Sequence, residues 1–279
     1  MVLKGDYIPS LKMIEKIPPS APLLILTALA AEAKTLMIDA AEPSRHEGER
    51  LSVNGTVWPP VQILQCGIGR ERIINCALPH IDQAAIVGSI GVSGGLAPGL
   101  KPGTVILAES ITENDSGPLS SLQSSATSVP LYELLESVFR QSGVPYRCGA
   151  LFCSPKPLVS SEEKKSAYLQ TGALAVDLES CGAAEAARRG SKPFFSIRVI
   201  CDPAEQNLEE RLLKGVDLQG NNRPLCLIPL LVRHPWLLPH LIGMARNFTR
   251  SLDSMRQAWL HVYPALAKFI SEQADDRVP

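Results

Sequence analysis

Apolar residues fall in short dense runs separated by amphipathic or polar stretches. Residues 23–29 (LLILTAL) are unbroken apolar sequence behind Pro19 and Pro22. That pattern predicts a strand buried on both faces of a sheet. A helix start follows at 30–37, with Glu32 in its first turn. Residues 84–90, 104–108, 146–153 and 194–200 read as further strands. In 131–142, Leu131, Leu134, Leu135, Val138 and Phe139 recur at helical spacing and predict a helix with one core-facing side. The runs 45–53 and 56–65 flank Asn54-Gly55, a strong hairpin signal. Residues 112–130, rich in Ser with Gly and Pro, read as a surface loop, or as a lid over a pocket. Ser160/Ser161 cap a polar helix that ends near Thr171-Gly172, and 247–270 reads as a closing helix interrupted near Pro264.

The densest chemistry lies in 173–206 (ALAVDLESCGAAEAARRGSKPFFSIRVICDPAEQ). A strand at 173–176 runs into Asp177, Leu178 and Glu179. A small-residue helix and a turn lead to a second strand that ends at Cys201-Asp202-Pro203. Ligands of open α/β sheets sit at the carboxyl ends of strands. Glu179 and Asp202 would share one pocket if their strands were neighbours. The plainer role for each acid, and for Glu32, is a helix cap or a charge matched to the helix dipole. Cys66-Gly67-Ile68-Gly69-Arg70 lies between a strand and the helix 71–79. Its N–H groups can face an anion, but it lacks the third glycine of a dinucleotide fingerprint. A second glycine-rich bend, GVSGGLAP at 91–98, follows the strand 84–90.

A length of 279 residues allows one large domain or two smaller ones. With 27 basic against 28 acidic side chains, the net charge gives no reason to expect nucleic acid. The seven cysteines form no CxxC pair and do not cluster with histidine, so the expectation is reduced thiols of a cytoplasmic protein, without disulfide or zinc. The N-terminus lacks the continuous apolar core of a signal peptide and reads as an extension over 1–21. Residues 225–244 (LCLIPLLVRHPWLLPHLIGM) are apolar but broken by three prolines, an arginine and two histidines. They are too interrupted for one membrane-spanning helix. They suit either short helices packed on the core or an exposed apolar lip touching membrane or greasy substrate.

VDLES followed by RVICDPAEQ resembles the signature of the nucleoside phosphorylase superfamily, in particular its methylthioadenosine/adenosylhomocysteine nucleosidase branch. Leu178 stands in place of the usual Met, and Cys201 in place of Ser. TALAAEAKTL around Glu32, the Gly67-Ile68-Gly69 turn and the 91–98 bend extend the likeness over about 22–206. The stretch 230–241 (LLVRHPWLLPHL) is similar to the hopanoid-associated phosphorylases and carries the likeness to about residue 258. The resemblance implies a three-layer αβα single domain with a central mixed, twisted sheet over 22–272, in which 207–272 is a branch-specific apolar helical tail.

The resemblance also implies roles. Asp202 would protonate the purine at N7, Glu179 would bind the ribose hydroxyls, and Leu178 would pack beneath the sugar. Arg198 would orient the carboxylates, and Glu32 would activate water or orient the nucleophile. Gly91, Val92 and Ser93 would lie under the ribose and the nucleophile, while Gly67 and Gly69 line the site and Lys156, Pro157 and Leu158 touch the base. Val92 replaces a usual Ser, and no Arg precedes the bend, so Arg70, Arg72 or Arg198 would have to hold a phosphate. No metal or organic cofactor is implied; phosphate is a co-substrate if the reaction is phosphorolysis. The implied substrate is a nucleoside, adenosylhopane in this branch, cleaved to release adenine. The remaining expectations are a homodimer and peripheral membrane contact through 225–244. Alternatives are a methylthioadenosine, adenosylhomocysteine or futalosine nucleosidase, and a non-catalytic nucleoside-binding relative. The three acids argue against the last.

Overall fold

The computed structural model describes residues 21–37, 52–53, 56–57, 60–114 and 122–275. The N-terminal extension and the Asn54-Gly55 turn lie outside the described residues, apart from Ala21. Strand β1 (Leu23–Thr27) is followed by helix α1 (Ala30–Met37). The short strands β2 (Ser52–Val53) and β3 (Thr56–Val57) pair antiparallel, as the hairpin signal requires. The run read as one strand over 56–65 divides here, because β4 (Val61–Gln65) leaves the hairpin and joins β1 in the main sheet. Helix α2 (Arg70–Ile81), strand β5 (Ile86–Gly95) and strand β6 (Val105–Asn114) come next.

The loop expected over 112–130 is partly sheet. β6 continues to Asn114, β7 (Leu122–Ala126) pairs back onto it antiparallel, and α3 (Val129–Ser142) starts with Pro130 in its first turn. Cross-strand pairing overrides the weak strand preference of the serines. Strand β8 (Tyr146–Cys153), helix α4 (Ser161–Thr171), strand β9 (Ala175–Asp177), helix α5 (Ser180–Arg189) and strand β10 (Phe194–Asp202) complete the sheet and its first cover.

The sheet order is β10-β6-β8-β9-β5-β1-β4, with β7 on β6, and β10 also pairs with β5. The pairing is mixed: β5 is parallel to β1 and β10 but antiparallel to β9. Because β10 pairs on both sides, five strands close into a ring. The glycine-rich half of β5 is thereby held between β10, with Gly94 opposite Asp202, and β9, with Gly94 opposite Val176. Two apolar cores fill the faces. Leu23 and Ile25 point to the side covered by α1, α3 and the last helix, and Leu24 and Leu26 to the side covered by α2 and α5. Full burial of each such side chain contributes about 2 kcal/mol.

The apolar stretch 225–244 forms short 3₁₀ turns around helix α6 (Ile228–Arg233) and then enters helix α7 (Leu238–Asp275). Leu212, Leu227 and Leu237 bury together as a small separate core. Leu225, Ile228, Val232, Trp236, Leu238 and Ile242 point outward. Packed turns and exposed apolar side chains therefore coexist in this stretch. The expected break at Pro264 is absent, and α7 runs through it. Pro264 is on the exposed side, where the carbonyl it frees can meet water, while Met255, Trp259, Val262, Leu266 and Ile270 anchor the opposite side in the main core. Among the described residues no helix is long and apolar enough to cross a membrane.

Candidate active site

Glu32 is buried in the first turn of α1. Its Oε2 accepts the N–H groups of Ala28 and Leu29 at 3.0 and 2.8 Å, and its Oε1 accepts that of Val92 at 2.8 Å. The carboxylate lies directly over β5: a Cβ on Gly91 would stand 2.8 Å from Oε1. Glycine is needed here for close approach. Burial raises the Glu32 carboxyl above the ordinary carboxylate range, and the three N–H groups and Arg198 draw it partly back.

The acidic triplet after β9 divides its labour. Asp177 accepts the N–H of Ser180 at 3.3 Å and its hydroxyl at 2.7 Å, so it fixes the start of α5. Asp177 also pairs with Arg198, whose Nη2 donates to Ser89 Oγ at 2.8 Å and whose Nη1 donates to the Ile197 carbonyl. Glu179, although it stands at the helix boundary, makes no capping bond. Its Oε1 instead accepts the N–H of Gly69 at 3.0 Å, and its Oε2 accepts the N–H of Leu178 at 3.3 Å. Burial, Asp177 and Glu32 push its carboxyl up to about 8, against the pull of Arg198 and Gly69. Glu32, Asp177 and Glu179 are thus three buried carboxyl groups served by one buried guanidinium.

Asp202 ends β10. Its Oδ2 lies 2.6 Å from Nζ of Lys164, a lysine of α4 with no solvent exposure. The same ammonium donates to the carbonyls of Pro203 and Gln206 at 2.9 Å each. Burial pushes the Asp202 carboxyl up to about 6, and Lys164 opposes that rise.

A cavity of about 980 Å³ opens beside this cluster. Its walls include Gly69, Arg70, Arg72, Pro157, Leu178, Leu213, Val216 and Leu218. Residues 216–221 bridge the ends of β1 and β4. Ala30 N–H donates to the Gly220 carbonyl at 3.0 Å, and Ile68 N–H to the Leu218 carbonyl at 2.9 Å. Gly220 has φ +82°, and a Cβ there would sit 2.1 Å from the Ala28 carbonyl oxygen, so no other residue fits this crossing.

The sequence model of the phosphorylase superfamily matches residues 22–222. The chain belongs to the phosphorylase superfamily. No curated protein sequence matches it. Among solved structures it is similar to the 5′-methylthioadenosine/S-adenosylhomocysteine nucleosidase of Neisseria meningitidis in complex with methylthio-immucillin-A, at 16% identity and TM-score 0.63, over 87% of this chain and 98% of that one. The nucleosidase of Campylobacter jejuni gives 15% and 0.63, over 89% and 99%. Futalosine hydrolase of Helicobacter pylori gives 16% and 0.59, over 93% and 99%. These likenesses show a shared fold.

Within that fold, the residues read from sequence separate into groups. Glu32, Gly91, Val92, Gly69, Leu178, Glu179 and Arg198 are brought together by the contacts above. Leu178, Gly69 and Pro157 line the cavity, whereas Glu32, Gly67, Gly91, Val92, Ser93, Glu179, Arg198 and Asp202 are not on its wall. The Ser93 hydroxyl is buried and without a hydrogen-bond partner among the described residues. Gly67, Ile68 and Gly69 do not form a free anion nest: their N–H groups go to the Ala28 carbonyl, the Leu218 carbonyl and the Glu179 carboxylate. Arg198 is likewise committed and cannot serve a phosphate. Lys156 is absent from the cavity wall: its side chain is 72% exposed and reaches toward Glu163, and both its backbone groups bond the Ser154 hydroxyl.

The cysteine expectation is corrected as well. Cys153 at the end of β8 is disulfide-bonded to Cys181 in α5, with Cα atoms 5.9 Å apart. The pair is 28 residues apart in sequence and meets only because β8 and β9 lie side by side, which spacing rules cannot register. Sequence reasoning also missed Lys164, which stands in a KK pair flanked by two glutamates and reads as a solvated helix face. The wall supplied by 213–219 was missed because its residues carry no motif.

Proposed function

We propose that this chain cleaves the N-glycosidic bond of a purine nucleoside. The observation that carries the reading is the charge imbalance at Glu32, Asp177 and Glu179, which share a single guanidinium. Buried carboxylates without enough cations are costly in an empty site. With its carboxyl at about 8, Glu179 holds a proton near neutral pH in the empty site; positive charge building on a ribose as the base departs favours its ionised form, which in turn stabilises that charge. Asp202 is the acid that protonates the leaving base, because burial brings its carboxyl up to about 6, where a proton is transferable near neutral pH. Glu179 binds the ribose hydroxyls, with Leu178 packed under the sugar. Glu32 activates the nucleophile, its basicity raised by burial.

Water is the nucleophile favoured by the commitments around the site. The Gly67–Gly69 N–H groups and Arg198 all have protein partners. One observation favours phosphate instead. Nε of Arg70 is buried, 3.4 Å from Glu113 and without a hydrogen bond among the described residues, and Arg70 and Arg72 both line the cavity. Base release with and without phosphate separates the two.

The finer reading is a nucleoside bearing a long apolar 5′ substituent, adenosylhopane, with adenine as the released base. It is supported by the apolar wall of Leu213, Val216 and Leu218. Leu218 is also largely exposed, and Leu225, Val232 and Trp236 follow it in the chain as outward-facing apolar side chains. Peripheral membrane contact through 225–244 and a homodimer belong to the same proposal. The experiment is quantification of free base from adenosylhopane, methylthioadenosine and futalosine. Preference for the small nucleosides by tenfold or more would favour a methylthioadenosine, adenosylhomocysteine or futalosine nucleosidase.

A further inference from the structure

Among the described residues Lys164 is the one fully buried lysine, and the partners of its ammonium belong to the segment 202–206. These are Asp202 Oδ2 at 2.6 Å and the carbonyls of Pro203 and Gln206 at 2.9 Å. Two of its N–H groups donate to those carbonyls, and the Asp202 carboxylate lies against it as an ion pair. Without solvent exposure the ammonium can act only through what it holds. Burying such a charge is costly, and the pairing with a carboxylate offsets that cost.

We propose that Lys164 is the positioning residue for Asp202, orienting its carboxyl group through Oδ2 and keeping a positive charge beside it. This rests on the reading of Asp202 as the acid that protonates the base. With Oδ2 tied to α4, Oδ1 is the carboxyl oxygen left to face a ligand. The turn that follows is fixed by the same ammonium, so carboxyl and backbone move as one unit. Gly94, opposite Asp202 on β5, makes room for it, since a Cβ there would approach Oδ2 to 3.1 Å.

The ammonium also tunes the acid. Burial raises the Asp202 carboxyl and Lys164 opposes the rise. The other titratable groups acting on the pair are Cys201 beside Asp202 on β10, Glu205 in the following turn, and Glu32 on α1, which acts on Cys201. None of these is cationic. Loss of the Lys164 charge therefore leaves burial unopposed, and Asp202 holds its proton to higher pH.

The test is a ¹³C titration of the Asp carboxyl carbons in selectively labelled full-length protein, with Asp202→Asn assigning the signal. Lys164→Met removes the charge. Lys164→Gln removes it but keeps a donor for the carbonyls, which guards against a variant that fails to fold. The Asp202 midpoint should rise by about one pH unit or more in both, a tenfold change in its acid equilibrium. Lys164→Arg should keep it within a few tenths of a unit. In turnover, the alkaline limb of kcat should move up with the midpoint while KM stays near wild type. A midpoint that does not move in a folded Lys164→Gln protein overturns the proposal, even if stability or rate falls. If the midpoint moves but the wild-type protein releases base from no nucleoside, the coupling stands and the catalytic reading of Asp202 fails.

Discussion

The Glu32 carboxylate lies over Gly91 so closely that a Cβ there would stand 2.8 Å from Oε1, while the adjacent Val92 N–H donates to that same oxygen at 2.8 Å. One strand residue makes room for the acid and the next holds it. Gly91→Ala should displace the carboxylate and lower kcat about a hundredfold, as a misplacement near 1 Å does. Circular dichroism should remain that of the wild type. Undiminished kcat in this variant would remove Glu32 from the reacting centre.

Glu179 gives a prediction in pH. Its carboxyl rises from 4.5 to about 8 on folding. A raised acid contributes its stability fully below its unfolded value and loses it as pH climbs through the folded value. Glu179→Gln keeps an acceptor for the Gly69 N–H and cannot ionise. The Tm of the variant relative to wild type should therefore grow between pH 5 and pH 8.5. A difference constant across that range would mean that Glu179 is not buried in an anionic cluster.

How far the sequence reaches can be judged at these same residues. The runs 23–29, 84–90 and 194–200 predict central strands because both faces of β1, β5 and β10 are buried, and a two-sided core leaves a continuous apolar signature. By residue type and position alone Asp177 and Glu179 look alike, each an acid at a helix start, and only the family resemblance assigns a role to Glu179. Only the structure shows that Asp177 fixes α5 while Glu179 turns to Gly69. Lys164 is illegible for the opposite reason, as its neighbours in the chain are charged and its partners lie about forty residues away. The strand β7 was lost to its serines, and Pro264 misled because its exposure depends on the register of α7 against the core.

The disulfide is checked by counting thiols. Alkylation of the unfolded, non-reduced chain should modify five of its seven cysteines, and prior reduction should expose all seven. Cys181→Ser should cost about 2–4 kcal/mol of stability under oxidising conditions and little in reductant. Seven reactive thiols without reduction would show that Cys153 and Cys181 are unpaired.

The apolar side chains outside the cavity make a claim about substrate size. Replacing Val232 and Trp236, 77% and 61% exposed, with serine should leave stability within about 0.5 kcal/mol of wild type. Cleavage of methylthioadenosine should be unaffected, while kcat/KM for a nucleoside with a long apolar 5′ substituent should fall about tenfold. Equal effects on both substrates would dissociate the exposed patch from substrate choice.

The central claim is that Asp202, Glu179 and Glu32 together break a purine N-glycosidic bond, and base release tests it most directly. Wild-type protein, Asp202→Asn and Glu32→Gln would each be incubated with adenosylhopane, methylthioadenosine and futalosine, with and without phosphate, and free base quantified. The account predicts release by the wild type without phosphate, and losses of about 10²–10⁴-fold in each variant with nucleoside binding retained. Release that requires phosphate would move the nucleophile to the Arg70–Arg72 side of the cavity. Full activity in Asp202→Asn, or no release by folded wild-type protein from any of the three nucleosides, would contradict the account.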